Sequence, residues 1–201
     1  MQIQLEVPDF PVCLGWESPL SDEQFERLSQ SNDLFQLERS KRGDLIVNAP
    51  AGGLTGNGNT EILHQLQAWW KTHRLGRVFD CNTGFFLADG SMLVPDAAYL
   101  TAAQLKGVHK KDLARLPRLC PAFVIELLSR TDRRKAAEAK MQDWIANGAQ
   151  LAWLIDPYKK SVTIYESGTR PRTTRAKLVP GTGPIASFAF NAADVWSCYE
   201  V

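Results

Sequence analysis

The strongest constraint on the fold is a run of apolar residues, PAFVIELLS, that contains a single acidic residue. Residues 123–128 are apolar on both faces of an extended chain, as expected of a central strand, except at Glu126. A buried carboxylate without a partner costs several kcal/mol. The sequence therefore predicts a compensating cation, a hydrogen-bond network or an opening to solvent beside Glu126.

A second acidic residue, Asp96, lies in the segment LVPDAAYL. Pro95 disfavours a helical conformation at Val94, and the surrounding apolar residues predict a short extended segment. A Pro-Asp turn is the alternative interpretation, and the apolar residues on both sides count against it. Two oxygen ligands at neighbouring strand ends suit a hard divalent cation. Mg²⁺ fits best, with Mn²⁺ as a substitute, because it uses one or two carboxylates and keeps several waters.

The helix predicted over 133–147 follows the Glu126 strand and presents a lysine at the edge of its apolar stripe. The stripe comprises Ala137, Met141, Trp144 and Ile145. Lys140 lies on the same side of the helix, so its ammonium group can point back toward Glu126. A second apolar strand is predicted over 151–155, and the order strand, helix, strand indicates a right-handed βαβ unit.

These positions resemble the PD-(D/E)xK nuclease superfamily, with Asp96 after a proline, Glu126 in an apolar strand, and then a lysine. Nearly the whole chain is similar to the Uma-two family of restriction-endonuclease-like proteins. The segments that carry this resemblance are TGNGNTEI, VPDAAYL, CPAFVIELLS, AKMQDWIANGA, LAWLIDP and VTIYE. The chain departs from the superfamily pattern at Leu128, where the usual lysine would stand. In this family the following helix supplies the lysine, and Lys140 is the matching position.

The resemblance implies an α/β (α+β) fold in which a restriction endonuclease-like mixed central sheet is flanked by helices. It also implies a Mg²⁺-dependent endodeoxyribonuclease, with Asp96, Glu126 and Lys140 as catalytic residues and with Asp96 and Glu126 as metal ligands. Glu61 is implied as a further acidic site residue. The alternative for Glu61 is a carboxylate in the first turn of a predicted helix, where it stabilises the helix dipole by ~0.3–1 kcal/mol. Asp96→Ala or Lys140→Ala is expected to abolish cleavage and to leave the fold intact.

The distribution of charge bears on the nucleic-acid partner. The net charge is only +1, which gives no global attraction to DNA. Cations cluster over 106–118, 130–135 and 170–177, and a solvated face is the simpler interpretation of any one cluster. The second cluster directly follows the Glu126 strand, so it is predicted to hold the phosphate backbone beside the metal. Its members are Arg130, Arg133, Arg134 and Lys135.

Two rival functions remain open at this point. The near-neutral charge favours a catalytically silent nuclease-fold module that keeps the charge pair as a structural network and binds nucleic acid or protein. A metal-dependent hydrolase acting on another phosphate ester would share the same site. The resemblance further implies a homodimer, since two sites are needed to cut two strands.

Length and composition predict one domain over 1–201, with an irregular amino-terminal lead over 1–20. No apolar run is long enough to span a bilayer and the amino terminus lacks signal-peptide character, so a soluble, cytoplasmic protein is expected. The four cysteines lack metal-ligand or CxxC spacing and are predicted to be thiols.

Local patterns predict the remaining elements. These are a helix capped by Ser21, a hairpin over 34–39 and 45–49, a flexible glycine-rich lead over 51–59, a helix over 59–73, a meander through 77–79 and 84–87, an exposed helical region over 101–117, a hairpin strand over 161–166, and a last strand over 185–190 before a terminal turn.

Overall fold

The structure is a computed structural model that describes residues 11–15 and 18–200 of the chain. The strands in chain order are β1 (Val12–Leu14), β2 (Gln36–Arg39), β3 (Leu45–Asn48), β4 (Arg77–Phe79), β5 (Phe85–Phe86), β6 (Met92–Leu93), β7 (Ala97–Leu100), β8 (Phe123–Leu127), β9 (Leu151–Asp156), β10 (Ser161–Glu166), β11 (Arg172–Thr174), β12 (Leu178–Pro180) and β13 (Ala189–Asn191). The helices are α1 (Asp22–Gln30), α2 (Gly53–His73), α3 (Ala102–Lys106), α4 (Lys110–Leu113), α5 (Arg134–Ala146) and α6 (Ala192–Ser197).

The central sheet has the strand order β11-β10-β9-β8-β7-β4. The β8–β9 pair is parallel and every other pair in this sheet is antiparallel, so the sheet is mixed. All five residues of β8 are buried, as predicted for a central strand. The segment β8–α5–β9 forms the predicted βαβ connection, and Gly148, with φ of 111°, follows the end of α5. The predicted mixed central sheet flanked by helices is confirmed.

Alternate residues of the central strands face two different helical layers. Side chains with the parity of Val124 and Leu154 pack with Met141 and Trp144 of α5. Side chains of the opposite parity pack with α2 and α6. The sheet is therefore buried on both faces, which explains why its strands are continuous apolar runs and why a charged residue in β8 needs a local partner.

A second, antiparallel sheet has the order β1-β3-β2-β6-β5 and packs against α1. The predicted cap of α1 is confirmed: the Ser21 side chain accepts from the backbone of Gln24, and the Gln24 side chain accepts in return from the Ser21 N–H. The predicted hairpin is also confirmed, as β2 and β3. This sheet matters for function because β2 and the end of β6 reach the residues around Asp96.

Helix α2 begins at Gly53, so the prediction of a flexible lead over 51–59 is wrong. Each glycine in a helix costs ~1 kcal/mol relative to alanine, which is why the local pattern disfavoured a helix here. Tertiary packing overrides this preference, because Thr55 and Gly58, near the start of α2, are both buried. Glu61 consequently lies in the third turn, and the first-turn dipole interpretation of this residue is wrong.

The other differences come from long-range pairing. The predicted meander is divided between two sheets, since β4 pairs with β7 whereas β5 pairs with β6. Residues 12–14 form a strand on β3, so the lead over 1–20 is not irregular throughout; its residues 1–10, 16 and 17 lie outside the described residues. The predicted last strand is shorter, over Ala189–Asn191, and the terminal turn is the helix α6. The four cysteines are free thiols, as predicted.

Candidate functional site

Asp96 lies immediately before β7 at the edge of the helical layer formed by α2. The register of β7 with β8, continued by one residue, brings Asp96 opposite Glu126. The Asp96 carboxylate accepts one hydrogen bond from the backbone N–H of Leu127 at 2.7 Å. Its other oxygen accepts from Asn59 Nδ2 at 2.8 Å. Asp96 therefore lies in a bend between β6 and β7, rather than in one continuous extended segment, and it contacts the end of the central strand β8.

Glu126 points from β8 toward α5 and is 9% exposed. One carboxylate oxygen accepts from Trp144 Nε1 at 2.9 Å, and the other accepts from Lys140 Nζ at 3.0 Å. Lys140 and Trp144 are four residues apart, so they lie on the same side of α5 and reach the carboxylate together. The predicted cation and hydrogen-bond network beside Glu126 are both present.

Lys140 is surrounded by three acceptors. Its Nζ donates to the carbonyl oxygen of Val94 at 2.8 Å and to Glu126, and it lies 2.9 Å from Glu38 Oε1. An ammonium group has three N–H donors, and each has an acceptor here. Lys140 is thus held by three separate segments: the strand β2, the chain just before Asp96, and the strand β8.

Glu38 is a site residue that the sequence analysis missed. It lies in β2, is 5% exposed, and accepts from the backbone N–H of Val94 at 2.7 Å in addition to facing Lys140. It therefore fixes both the lysine and the approach to Asp96. The only sequence signal was an acidic residue in a predicted strand, because the contact arises from packing of the second sheet against α5.

The cluster contains three carboxylates and one ammonium group. Burial raises the pKa of Asp96, although its hydrogen bonds and the attraction of Lys140 oppose the rise. Burial raises the pKa of Glu126 to about 8, against the attraction of Lys140. Burial lowers the pKa of Lys140, but the attraction of Glu126 and Glu38 outweighs it, and the net pKa is raised. Lys140 is therefore a permanent cation, and the raised pKa values of Asp96 and Glu126 mean that these two groups favour a bound proton or a second cation.

Comparisons with known proteins place the chain in a family. The model of the Uma2 (Uma-two) family, described as "Putative restriction endonuclease", matches residues 22–189. The chain belongs to the Uma2 family.

One solved structure with the same fold is a nuclease from Anabaena variabilis that is described as putative and assigned to DUF820. It has a TM-score of 0.74 and 18% sequence identity, and the match covers 90% of this chain and 99% of that one. The comparison with curated proteins gave no significant match. Over the part of the chain that the structure describes, no helix has the length and apolar character required to cross a membrane.

In this Uma2 family member, Glu61 lies apart from the cluster. Asn59 and Glu61 are about 200° apart around α2, so they occupy opposite flanks of its buried stripe. The Glu61 carboxylate accepts from Gln65 Nε2 at 2.8 Å. Among residues 11–15 and 18–200, no three His, Cys, Asp or Glu side chains converge in an arrangement that could hold a metal ion. Asp96 and Glu126 are therefore a pair of hard oxygen donors without Glu61 as a third.

The donor set nevertheless fits a hard divalent cation in its chemistry. The oxygens of Asp96 and Glu126 are of the kind that Mg²⁺ binds, and Mg²⁺ commonly uses only one or two protein carboxylates. The three carboxyl groups around Lys140 outnumber its single ammonium group. In addition, the side-chain oxygen of Asn59, next to Asp96, is buried without a hydrogen-bond partner in the described structure.

The four basic residues after the Glu126 strand have different environments. Arg134 is committed to the protein, since it binds Asp156 at 2.6 Å and also pairs with Glu138. Arg134 is therefore less available to bind a phosphate group. Arg133 and Lys135 are exposed at the start of α5, and exposed Arg130 lies over the ring of Tyr158 with 5.9 Å between the guanidinium carbon and the ring centroid.

Proposed function

We propose that this protein is a Mg²⁺-dependent endonuclease that hydrolyses phosphodiester bonds of DNA. The observation that carries the proposal is the convergence of Asp96, Glu126 and Lys140 from three separate elements into one largely buried cluster of two carboxyl groups and an ammonium group. Membership of a family described as "Putative restriction endonuclease", and a fold shared with a protein described as a "putative nuclease", support the same reaction class.

Asp96 and Glu126 would hold the cation, and Mn²⁺ is expected to substitute for Mg²⁺. The bound ion supplies Lewis-acid polarisation of the scissile phosphate and lowers the pKa of a water molecule. The Leu127 N–H fixes the orientation of the Asp96 carboxylate, and the Trp144 indole fixes that of Glu126. This preorganisation keeps the oxygens in place before the substrate arrives.

Lys140 acts through its charge and its contacts with the carboxylates. Its three N–H groups already face Val94, Glu126 and Glu38, so direct contact with a water or a phosphate requires exchange of one of these contacts. In its present position the ammonium group favours the ionised form of Glu126. After such an exchange it would place positive charge beside the negative charge that develops on a phosphate.

Exposed basic residues near the start of α5 would contact the DNA backbone. Arg130 and Arg133 lie in the connection between β8 and α5 and Lys135 lies in the first turn of α5, so all three follow the end of β8 that carries Glu126, whereas Arg134 holds Asp156. Cutting both strands would need two copies of the site, and sedimentation of the full chain with and without duplex DNA tests for a homodimer.

Cleavage of supercoiled plasmid in the presence of Mg²⁺ or Mn²⁺ tests the proposal. Asp96→Asn and Glu126→Gln should reduce the rate by more than the ~10–100-fold typical of changes outside the direct ligands. Asp112→Asn, an exposed carboxylate on α4, is the matched control and should cut like the parent. Equal cleavage by Asp96→Asn and the parent would exclude Asp96 from the reaction.

A catalytically silent module is the second candidate, because each carboxylate of the cluster already has partners within the chain. Such a network could be purely structural. Calorimetric titration with Mn²⁺ separates the two candidates: the nuclease should bind with heat that disappears in Asp96→Asn, whereas a structural network should give no heat that depends on this residue.

A further inference from the structure

We propose that Asn59 is an additional ligand of the divalent cation, supplying a neutral amide oxygen beside Asp96 and Glu126. This inference rests on the proposed metal-dependent function and assigns a residue to it. Sequence resemblance suggested Glu61 as the third member of the set. The structure instead brings Asn59, two residues earlier on α2, into contact with Asp96.

The two polar atoms of the Asn59 side chain have contrasting environments. Nδ2 donates to Asp96 at 2.8 Å, so the side chain is fixed against one of the two carboxylates of the site. Oδ1 is buried and has no hydrogen-bond partner in the described part of the chain. An unsatisfied buried acceptor costs ~1–3 kcal/mol and calls for an explanation. A hard cation seated at Asp96 would give this oxygen a partner, since amide oxygens are ordinary ligands of hard cations.

The glycine before Asn59 explains how α2 comes so close to the site. A Cβ atom at Gly58 would lie 2.9 Å from Leu127 Cδ2 and 3.1 Å from the Tyr199 ring, closer than packed atoms allow. A larger residue would have to displace the Leu127 side chain, so glycine favours the close approach of the helix to the end of β8. Asn59 then meets Asp96, while Asn57, on the other side of the glycine, is exposed to solvent.

A purely structural role for Asn59 predicts different behaviour. If Asn59 only donates to Asp96, replacing it by aspartate removes the donor and places two carboxylates together, so the site is damaged. If Asn59 is a ligand, aspartate offers an equivalent oxygen with added negative charge and preserves cation binding. Leucine has a similar volume but no polar atom, so it removes the donor to Asp96 in either case and also removes the proposed ligand.

The experiment is calorimetric titration of the full chain with Mn²⁺ alone at pH 8, with circular dichroism to verify folding. Asn59→Leu should weaken Mn²⁺ binding by more than the ~10–100-fold typical of residues outside the direct ligands, and Asn59→Asp should bind at least as tightly as the parent. Asn57→Leu and Asn57→Asp are the matched controls from the same helix and should leave the affinity unchanged. Asn59→Ala replaces the leucine variant if the latter does not fold.

Two results would overturn the assignment and leave the Asp96–Glu126 site intact. One is parent-like affinity in Asn59→Leu, and the other is an affinity in Asn59→Asp that falls as far as in Asn59→Leu. A parent protein that shows no Mn²⁺ heat dependent on Asp96 would instead refute the proposed function together with this inference.

Discussion

Replacing Lys140 by alanine should destabilise the protein strongly at alkaline pH, where the Glu126 carboxylate is ionised. The Lys140 side chain is 22% exposed, and the side chains of Glu38 and Glu126, whose carboxylates it faces, are only 7% and 11% exposed. Removing one partner of a buried ion pair costs ~3–5 kcal/mol, because the remaining charge stays buried without compensation. This is a large part of the ~5–15 kcal/mol that stabilises a typical domain.

The assay is urea unfolding monitored by tryptophan fluorescence at pH 8. With a slope of ~2 kcal/mol per molar urea, the midpoint should fall by about 1.5–2.5 M. The loss should be smaller at pH 5, where carboxylates with raised pKa values become protonated and no longer need the ammonium group. Adding Glu126→Gln to the Lys140→Ala variant should recover part of the loss, since one of the uncompensated charges is then removed.

Lys135→Ala is the control, because Lys135 is exposed on the same helix and should change stability by less than about 0.5 kcal/mol. Equal midpoints for the two alanine variants at pH 8 would refute the claim that Lys140 neutralises a buried cluster. The structure thus changes one expectation drawn from the sequence: Lys140→Ala tests catalysis only after its effect on folding has been measured.

Three further predictions concern the same region. Gly58→Ala should destabilise the fold by ~1–3 kcal/mol through overpacking against Leu127. Gly56→Ala has open space around it and should stabilise α2 by up to ~1 kcal/mol. Urea unfolding of both variants tests this difference, and equal effects of the two substitutions would contradict it. Trp144→Phe should lower the free energy of unfolding by ~1–2 kcal/mol, because Glu126 loses its indole donor. Urea unfolding at pH 8 measures this change, and unchanged stability would show that only the apolar volume of the ring matters. Since the folded-state pKa of Glu126 is raised from 4.5 to about 8, the metal-free protein binds this proton more tightly when folded, and its contribution to stability is full below pH 4.5 and is lost as the pH rises to about 8. The unfolding free energy of the parent, relative to that of Glu126→Gln, should therefore fall between pH 4.5 and about pH 8. A difference that does not change with pH would contradict the raised pKa of Glu126.

Local patterns in the sequence were sufficient for the elements that carry the chemistry. The apolar run around Glu126 predicts a buried strand because a fully covered strand has no polar face, and the stripe on α5 follows from helical periodicity. Together they imply that Lys140 and Glu126 lie close to each other. A helix that packs on the strand before it turns its apolar stripe toward that strand, and Lys140 lies at the edge of this stripe. The lysine–glutamate contact is confirmed in the structure.

The sequence by itself determined the strand around Glu126, the helix that carries Lys140, and the strand that directly follows Asp96, because each depends on the periodicity of neighbouring residues. Only the tertiary structure decided which other groups surround them. Glu38 reaches Lys140 through the packing of a second sheet, and Asn59 reaches Asp96 because α2 extends over a glycine that allows close approach. These contacts join residues far apart in the chain, and no local pattern encodes the distance between two packed surfaces.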